Sequence, residues 1–198
     1  PDFSKPDALA VIDVSRGSST YGRIVHTVTM PNKGDEFHHF GWNACSSALS
    51  PMSGHAFLER RYLIIPGLRS SRIYVVDTKP SPLEAKIHKV IEPEEVFRKT
   101  GYSRPHTIHC GPEGIYEVDL NGNTVSHRQI PLGPKDNGGG CHGLMWHDGK
   151  LWIVANRLRA ILRVDPKSWA PEFMIPFTAS RWHGCAWDSS HPGGAIWM

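Results

Sequence analysis

Tyr74-Val75-Val76-Asp77 is an apolar run closed by an aspartate, and the same pattern returns along the chain. It reads Ala10-Val11-Ile12-Asp13, Tyr116-Glu117-Val118-Asp119 and Leu162-Arg163-Val164-Asp165 at the other three places. After each Asp comes a polar turn and then a second β-like run: Ile24 to Val28, Ile87 to Ile91, Val125 to Ile130 and Phe173 to Phe177. β-Branched and aromatic residues bounded by turn formers read as antiparallel strands, with the Asp and its following Pro or Gly supplying the turn. A second signal interleaves with the first. His142-Gly143-Leu144-Met145-Trp146 returns 41 residues later as His183-Gly184-Cys185-Ala186-Trp187, each copy followed by a Trp-bearing strand, Leu151 to Val154 and Ala195 to Trp197. Four strands in roughly 40–45 residues is the period of a β-propeller blade. The predicted fold class is all-β, a β-propeller.

Composition supports this. The 198 residues include 19 Gly and 16 Pro, which punctuate the chain too often for long helices. The one helix candidate is Pro93 to Lys99. A chain 39% hydrophobic and 21% charged is globular rather than disordered. A net charge of +3 without a dense Lys/Arg run gives no reason to expect nucleic acid. No apolar stretch is long enough to span a bilayer. The chain opens at Pro1 with no leader pattern, which leans cytoplasmic, or periplasmic if an N-terminal segment is missing.

Four Asp-closed strands predict about four blades in a single unit covering residues 1–198. Rings commonly close with about four to eight blades, and both ends of this chain fall inside a blade. The expectation is a fragment of a larger ring.

In a propeller the innermost strands line one channel, so residues at equivalent blade positions converge. That rule brings His38, His39, His106, His109, His142 and His183 towards one channel mouth. Imidazoles from separate strands can build a metal site that no local motif reveals, and they suit copper, zinc, iron or nickel. His142 and His183 recur with the repeat and read as structural. The His38-His39 pair and His106 with His109 are not repeated, so they read as functional. Trp146, Trp152, Trp187 and Trp197 recur with the repeat and read as core between blades. Asp13, Asp77, Asp119 and Asp165 read as turn residues. Arg157, Arg159 and Arg163 read as a solvated strand face, and Glu92, Glu94 and Glu95 as a solvated loop.

The four cysteines, Cys45, Cys110, Cys141 and Cys185, form no CxxC pair and read as reduced thiols. Cys45 lies in the small-residue stretch Gly41 to Ser47, directly after the His pair. Neighbouring imidazolium or metal would lower its pKa and make it reactive; spacing alone leaves an inert buried thiol equally open. Cys110 adjoins His109, although strand alternation would turn one of the two away.

Four stretches, Met30 to Ser47, Leu63 to Asp77, Ile87 to Pro93 and Arg104 to Cys110, closely resemble the selenium-binding protein family, which includes methanethiol oxidase. The resemblance covers about residues 6–116. It implies a seven-bladed propeller. It also implies copper-dependent oxidation of methanethiol, a small-molecule thiol substrate, with dioxygen and water, giving formaldehyde, hydrogen sulfide and hydrogen peroxide. The family's selenium-associated cysteine matches Cys45, which with His39 becomes the catalytic candidate. Its histidine-rich segments match His38, His39, His106 and His109, the copper-ligand candidates. Soft sulfur beside imidazole suits copper that changes oxidation state.

After Tyr116 the resemblance gives way, and residues 117–198 look like generic propeller repeats of the streptogramin-lyase or senescence-marker kind. His106 to His142 spans 36 residues against 41 for the next interval, which points to a fusion or deletion at the join. Two further functions therefore stand beside the oxidase: a non-catalytic scaffold binding a ligand at the channel mouth, and a lyase or lactonase using a channel histidine as base.

Overall fold

The computed structural model describes residues 3–44, 59–101, 103–108, 110–111, 114–115, 141–147, 149–155, 158–168, 170–178, 186–188 and 195–197. Within them the chain is built from antiparallel strands, with a single α-helix among the described residues. A hairpin comes first, β1 (Pro6–Ile12) against β2 (Ile24–Lys33). A four-stranded sheet follows in sequential order: β3 (Gly41–Trp42), β4 (Tyr62–Pro66), β5 (Ile73–Asp77) and β6 (Lys86–Ile91). The helix α1 (Pro93–Thr100) comes next, then a short pair, β7 (Cys110–Gly111) and β8 (Gly114–Ile115). A second four-stranded sheet contains β9 (Cys141–His147), β10 (Lys150–Ala155), β11 (Ala160–Val164) and β12 (Pro171–Pro176). A last pair is β13 (Ala186–Asp188) with β14 (Ala195–Trp197).

The period-2 alternation of β4 and β5 explains how the first sheet is covered on both faces. Ile64, Ile73, Val75 and Ile91 point to one side, where Val96 of α1 and Ile108 close over them. Leu63, Ile65, Tyr74 and Val76 point to the other, where Val28 and Met30 of β2 cover them. Every residue of β5 is buried as a result. The second sheet pairs Leu151 with Val164 and Ile153 with Leu162 in register, and Trp146 packs into the core these side chains share.

The helix begins where Pro93 pre-sets its first turn and ends where Gly101 takes a left-handed φ of 72°. Glu94 and Glu95 in its first turn and Arg98 and Lys99 in its last complement the helix dipole. Glu92, expected in a solvated loop, is exposed and also accepts from Arg72 Nε at 2.8 Å, whereas Glu94 and Glu95 belong to α1 rather than to a loop.

Asp13, Asp77 and Asp165 organise turns, as their position predicts; Asp119 and the runs beside it lie outside the described residues. Each Oδ1 accepts the backbone N–H two residues on, from Ser15 at 2.8 Å, Lys79 at 3.0 Å and Lys167 at 2.9 Å. Each Oδ2 takes a second partner: the Ser18 and Thr20 hydroxyls for Asp13, Arg61 Nη2 for Asp77, and Lys150 Nζ for Asp165. These bonds hold the carboxyls below their ordinary range, Asp13 at about 2 through Ser18 and Thr20, and Asp77 at about 2 through Arg61.

Two surface expectations need correction. Arg163 is not simply solvated: its guanidinium lies 5.9 Å from the Trp152 ring and 5.7 Å from Phe173, its cross-strand neighbours on either side. Trp152 is accordingly half-buried rather than core. Arg157 lies outside the described residues, and Arg159 is exposed.

Candidate metal centre

His38 and His39 stand on the irregular stretch between β2 and β3, and His106 on the stretch between α1 and β7. Both stretches are tied to the first sheet. Phe37 bridges to Gly67, and His38 N–H donates to Pro66 O at 3.1 Å. Ile108 N–H donates to His39 O at 3.1 Å, and Arg104 N–H to Ser71 Oγ at 2.8 Å. The buried Ile108 side chain anchors the second stretch in the core beneath.

The outcome is a cluster of three imidazoles. Ring centroids are 4.9 Å apart for His38 and His39, 4.3 Å for His38 and His106, and 4.9 Å for His39 and His106. One nitrogen from each ring lies within 4.8 Å of the others. His38 and His106 are half-buried and His39 is exposed. Thr107 Oγ1 meets His106 Nδ1 at 2.8 Å and so fixes that ring, as a second bond commonly does for a metal-bound imidazole.

His38 Nδ1 is buried with no hydrogen-bond partner. A buried polar nitrogen left unsatisfied costs about 1–3 kcal/mol, a cost that a cation bound at this atom would remove. Three neutral imidazoles form a donor set suited to copper or zinc, so these residues fit the predicted ion. An open depression of about 430 Å³, lined by Phe37, His38, His39 and Phe40, gives access beside them.

Among the described residues the cluster holds these three histidines. His109 and Cys45 lie outside the described residues, as does His183. His142 falls within β9 and Cys110 within β7.

Beneath the His38 stretch is a polar network that the sequence pattern does not announce. Asp35 is fully buried, accepting from Tyr74 Oη at 2.7 Å and from Arg72 Nη1 at 3.2 Å. Burial first, and then the bond to Asp35, push the Tyr74 hydroxyl above its ordinary pKa. The Phe37 ring meets Tyr74 edge-on at 5.4 Å, so the network props the residue next to His38.

A family described as 56kDa selenium binding protein (SBP56) matches residues 1–128. The chain belongs to the selenium-binding protein family. Selenium-binding protein 3 of Arabidopsis thaliana is 50% identical over 120 residues, covering 61% of this chain and 24% of that protein. A methanethiol oxidase of Danio rerio is 39% identical over 153 residues, 77% of this chain and 30% of that one. A solved structure titled as a hypothetical selenium-binding protein from Sulfolobus tokodaii superposes with a TM-score of 0.70 at 37% identity, over 88% of this chain and 46% of that one. The chain thus spans about a quarter to a third of these curated family members' length.

Proposed function

We propose that the chain carries the copper centre of a methanethiol oxidase of this family, with His38, His39 and His106 as ligands and His109 as a fourth candidate. The observation that carries the reading is the meeting of three imidazoles from two distant stretches, one of them with an orphaned buried nitrogen. In the same reading, the two four-stranded sheets are blades of a partial propeller, about four of a seven-bladed ring.

The reaction takes methanethiol, dioxygen and water, in equal amounts, to formaldehyde, hydrogen sulfide and hydrogen peroxide. Bound copper, by changing oxidation state, supplies the path for electrons from thiol to dioxygen. The protein's own groups do the rest. Phe37 and Phe40 offer an apolar wall to the methyl group. His39, the exposed ring, stands where the thiol proton would leave to solvent. Cys45 is the residue on which selenium would be held.

The test is metal content and turnover on one preparation. Copper retained after dialysis, with methanethiol consumed and hydrogen sulfide and peroxide formed, supports the proposal. Both should fall in His106→Ala. Unchanged copper content in His38→Ala and His106→Ala would remove these residues from the ligand set. Copper retained without turnover would point to a binding role.

A further inference from the structure

Gly41 opens the small-residue stretch after the histidine pair, and backbone freedom does not explain it. Gly17, Gly22, Gly34, Gly101 and Gly149 all have φ between 69° and 87° with open space where a Cβ would go. Gly41 has no positive φ. A Cβ there would stand 2.6 Å from Ile108 O, 3.1 Å from Ile108 C and 3.3 Å from Ile108 Cγ2.

We propose that Gly41 is a positioning residue: its missing side chain sets how closely the His106–Ile108 stretch lies on the His38–Gly41 stretch, and so sets the spacing of the three imidazoles. This rests on the metal-site reading above. The nearest atoms belong to Ile108's backbone, which cannot swing away as a flexible side chain would. That backbone is held from both ends, by Ile108 N–H to His39 O at 3.1 Å and by Arg104 N–H to Ser71 Oγ at 2.8 Å. The Ile108 side chain is also locked in the core.

Carbon and oxygen in ordinary contact need about 3.5 Å, so a methyl at position 41 must push the Ile108 stretch outwards by several tenths of an ångström. His106 lies two residues back on the same stretch and moves with it. Metal–ligand distances tolerate only about 0.2 Å. The displacement therefore reaches the metal even though Gly41 touches none of the ligand atoms.

The experiment measures Cu(II) affinity by chelator competition and records the Cu(II) electron paramagnetic resonance spectrum. Wild type, Gly41→Ala, His106→Ala and Leu162→Ala are compared. Gly41→Ala is expected to bind at least about tenfold more weakly, with a spectrum shifted towards that of His106→Ala. Leu162→Ala opens a hole in the separate core of the second sheet. It should lower the unfolding temperature and leave affinity and spectrum unchanged, which separates spacing from general destabilisation.

Folded Gly41→Ala with wild-type affinity and spectrum would overturn the proposal. Should that variant fail to fold, Ser71→Ala decides: it releases the Arg104 end of the same stretch, and an unchanged affinity and spectrum there would overturn it equally. A wild-type chain that binds no copper overturns the metal-site reading and this proposal together; wild-type binding indifferent to position 41 overturns this proposal alone.

Discussion

The rings of His38 and His106 lie 4.3 Å apart with their planes tilted by 41°, although one stretch precedes the first four-stranded sheet and the other follows its helix. A contact this close between two polar rings needs a reason, and the proposed shared ion would supply one. His38→Ala and His106→Ala are each expected to weaken Cu(II) binding at least about tenfold. The double variant should be little worse than either, because both remove the same site. His26→Ala is the control: its ring meets Ala85 O at 3.1 Å, away from the cluster. Chelator competition reads all four.

Asp35 is a fully buried carboxylate facing Arg72, whose side chain is 23% exposed. Removing one partner of a buried pair leaves an uncompensated charge and costs about 3–5 kcal/mol. Arg72→Ala should lose stability on that scale in urea denaturation. Tyr74→Phe removes one neutral donor and should cost less, about 1–3 kcal/mol. Asp35→Asn combined with Arg72→Ala should recover part of the loss.

Asn43 closes the base of the first sheet with its side chain. Its Oδ1 accepts from Arg61 N–H at 3.0 Å and Tyr62 N–H at 2.9 Å, and its Nδ2 donates to Glu59 O at 2.9 Å. Asn43→Ala strands three backbone groups at once. The expected loss is about 2–3 kcal/mol, read as a lower urea midpoint. Asn43→Asp keeps the acceptor and should lose less.

Acid stability should depend on Asp77. The Arg61 hydrogen bonds lower its carboxyl from 3.8 to about 2 in the folded chain. A depressed folded pKa stabilises the protein fully above the unfolded value, and the effect fades as pH falls through the folded one. The contribution is therefore intact above about pH 4 and is lost towards pH 2. Urea midpoints across that window should fall less steeply in Asp77→Asn than in wild type. An equal slope would mean that Asp77 is not the group responsible.

Much of the sheet structure is local and therefore legible from sequence. Strand alternation in Leu63 to Ile65 and Ile73 to Asp77, the turn-forming Asp residues, and a helix opening at Pro93 are each written within a few neighbouring residues. His38, His39 and His106 were legible as site candidates, from the family resemblance and from the inner-strand placement expected of them. The Asp35–Tyr74–Arg72 network, the Asn43 clamp and the closeness of Gly41 to Ile108 were not. Each joins residues from separate strands or stretches, and nothing in the local pattern of a lone Asp, Asn or Gly states which backbone will face it. Glu92 shows the same limit, since its solvated-loop pattern hides an ion pair with a residue on the neighbouring strand connection.

In the aspartates that close the strands one oxygen takes the turn amide and the other a cation or hydroxyl, and at Asp77 the Arg61 Nε reaches the turn oxygen as well. An asparagine could perform the first task equally well, as it does in turns generally. It could not perform the second at Asp77 or Asp165, where the facing group is a guanidinium or an ammonium. An amide nitrogen turned that way would set donor against donor. The turn by itself would accept either residue; the basic side chain that starts the neighbouring strand is what makes the choice. Substitution at Arg61 or Lys150 would accordingly relax the chemical requirement at the far end of a different strand, so these positions should drift together as sequences diverge.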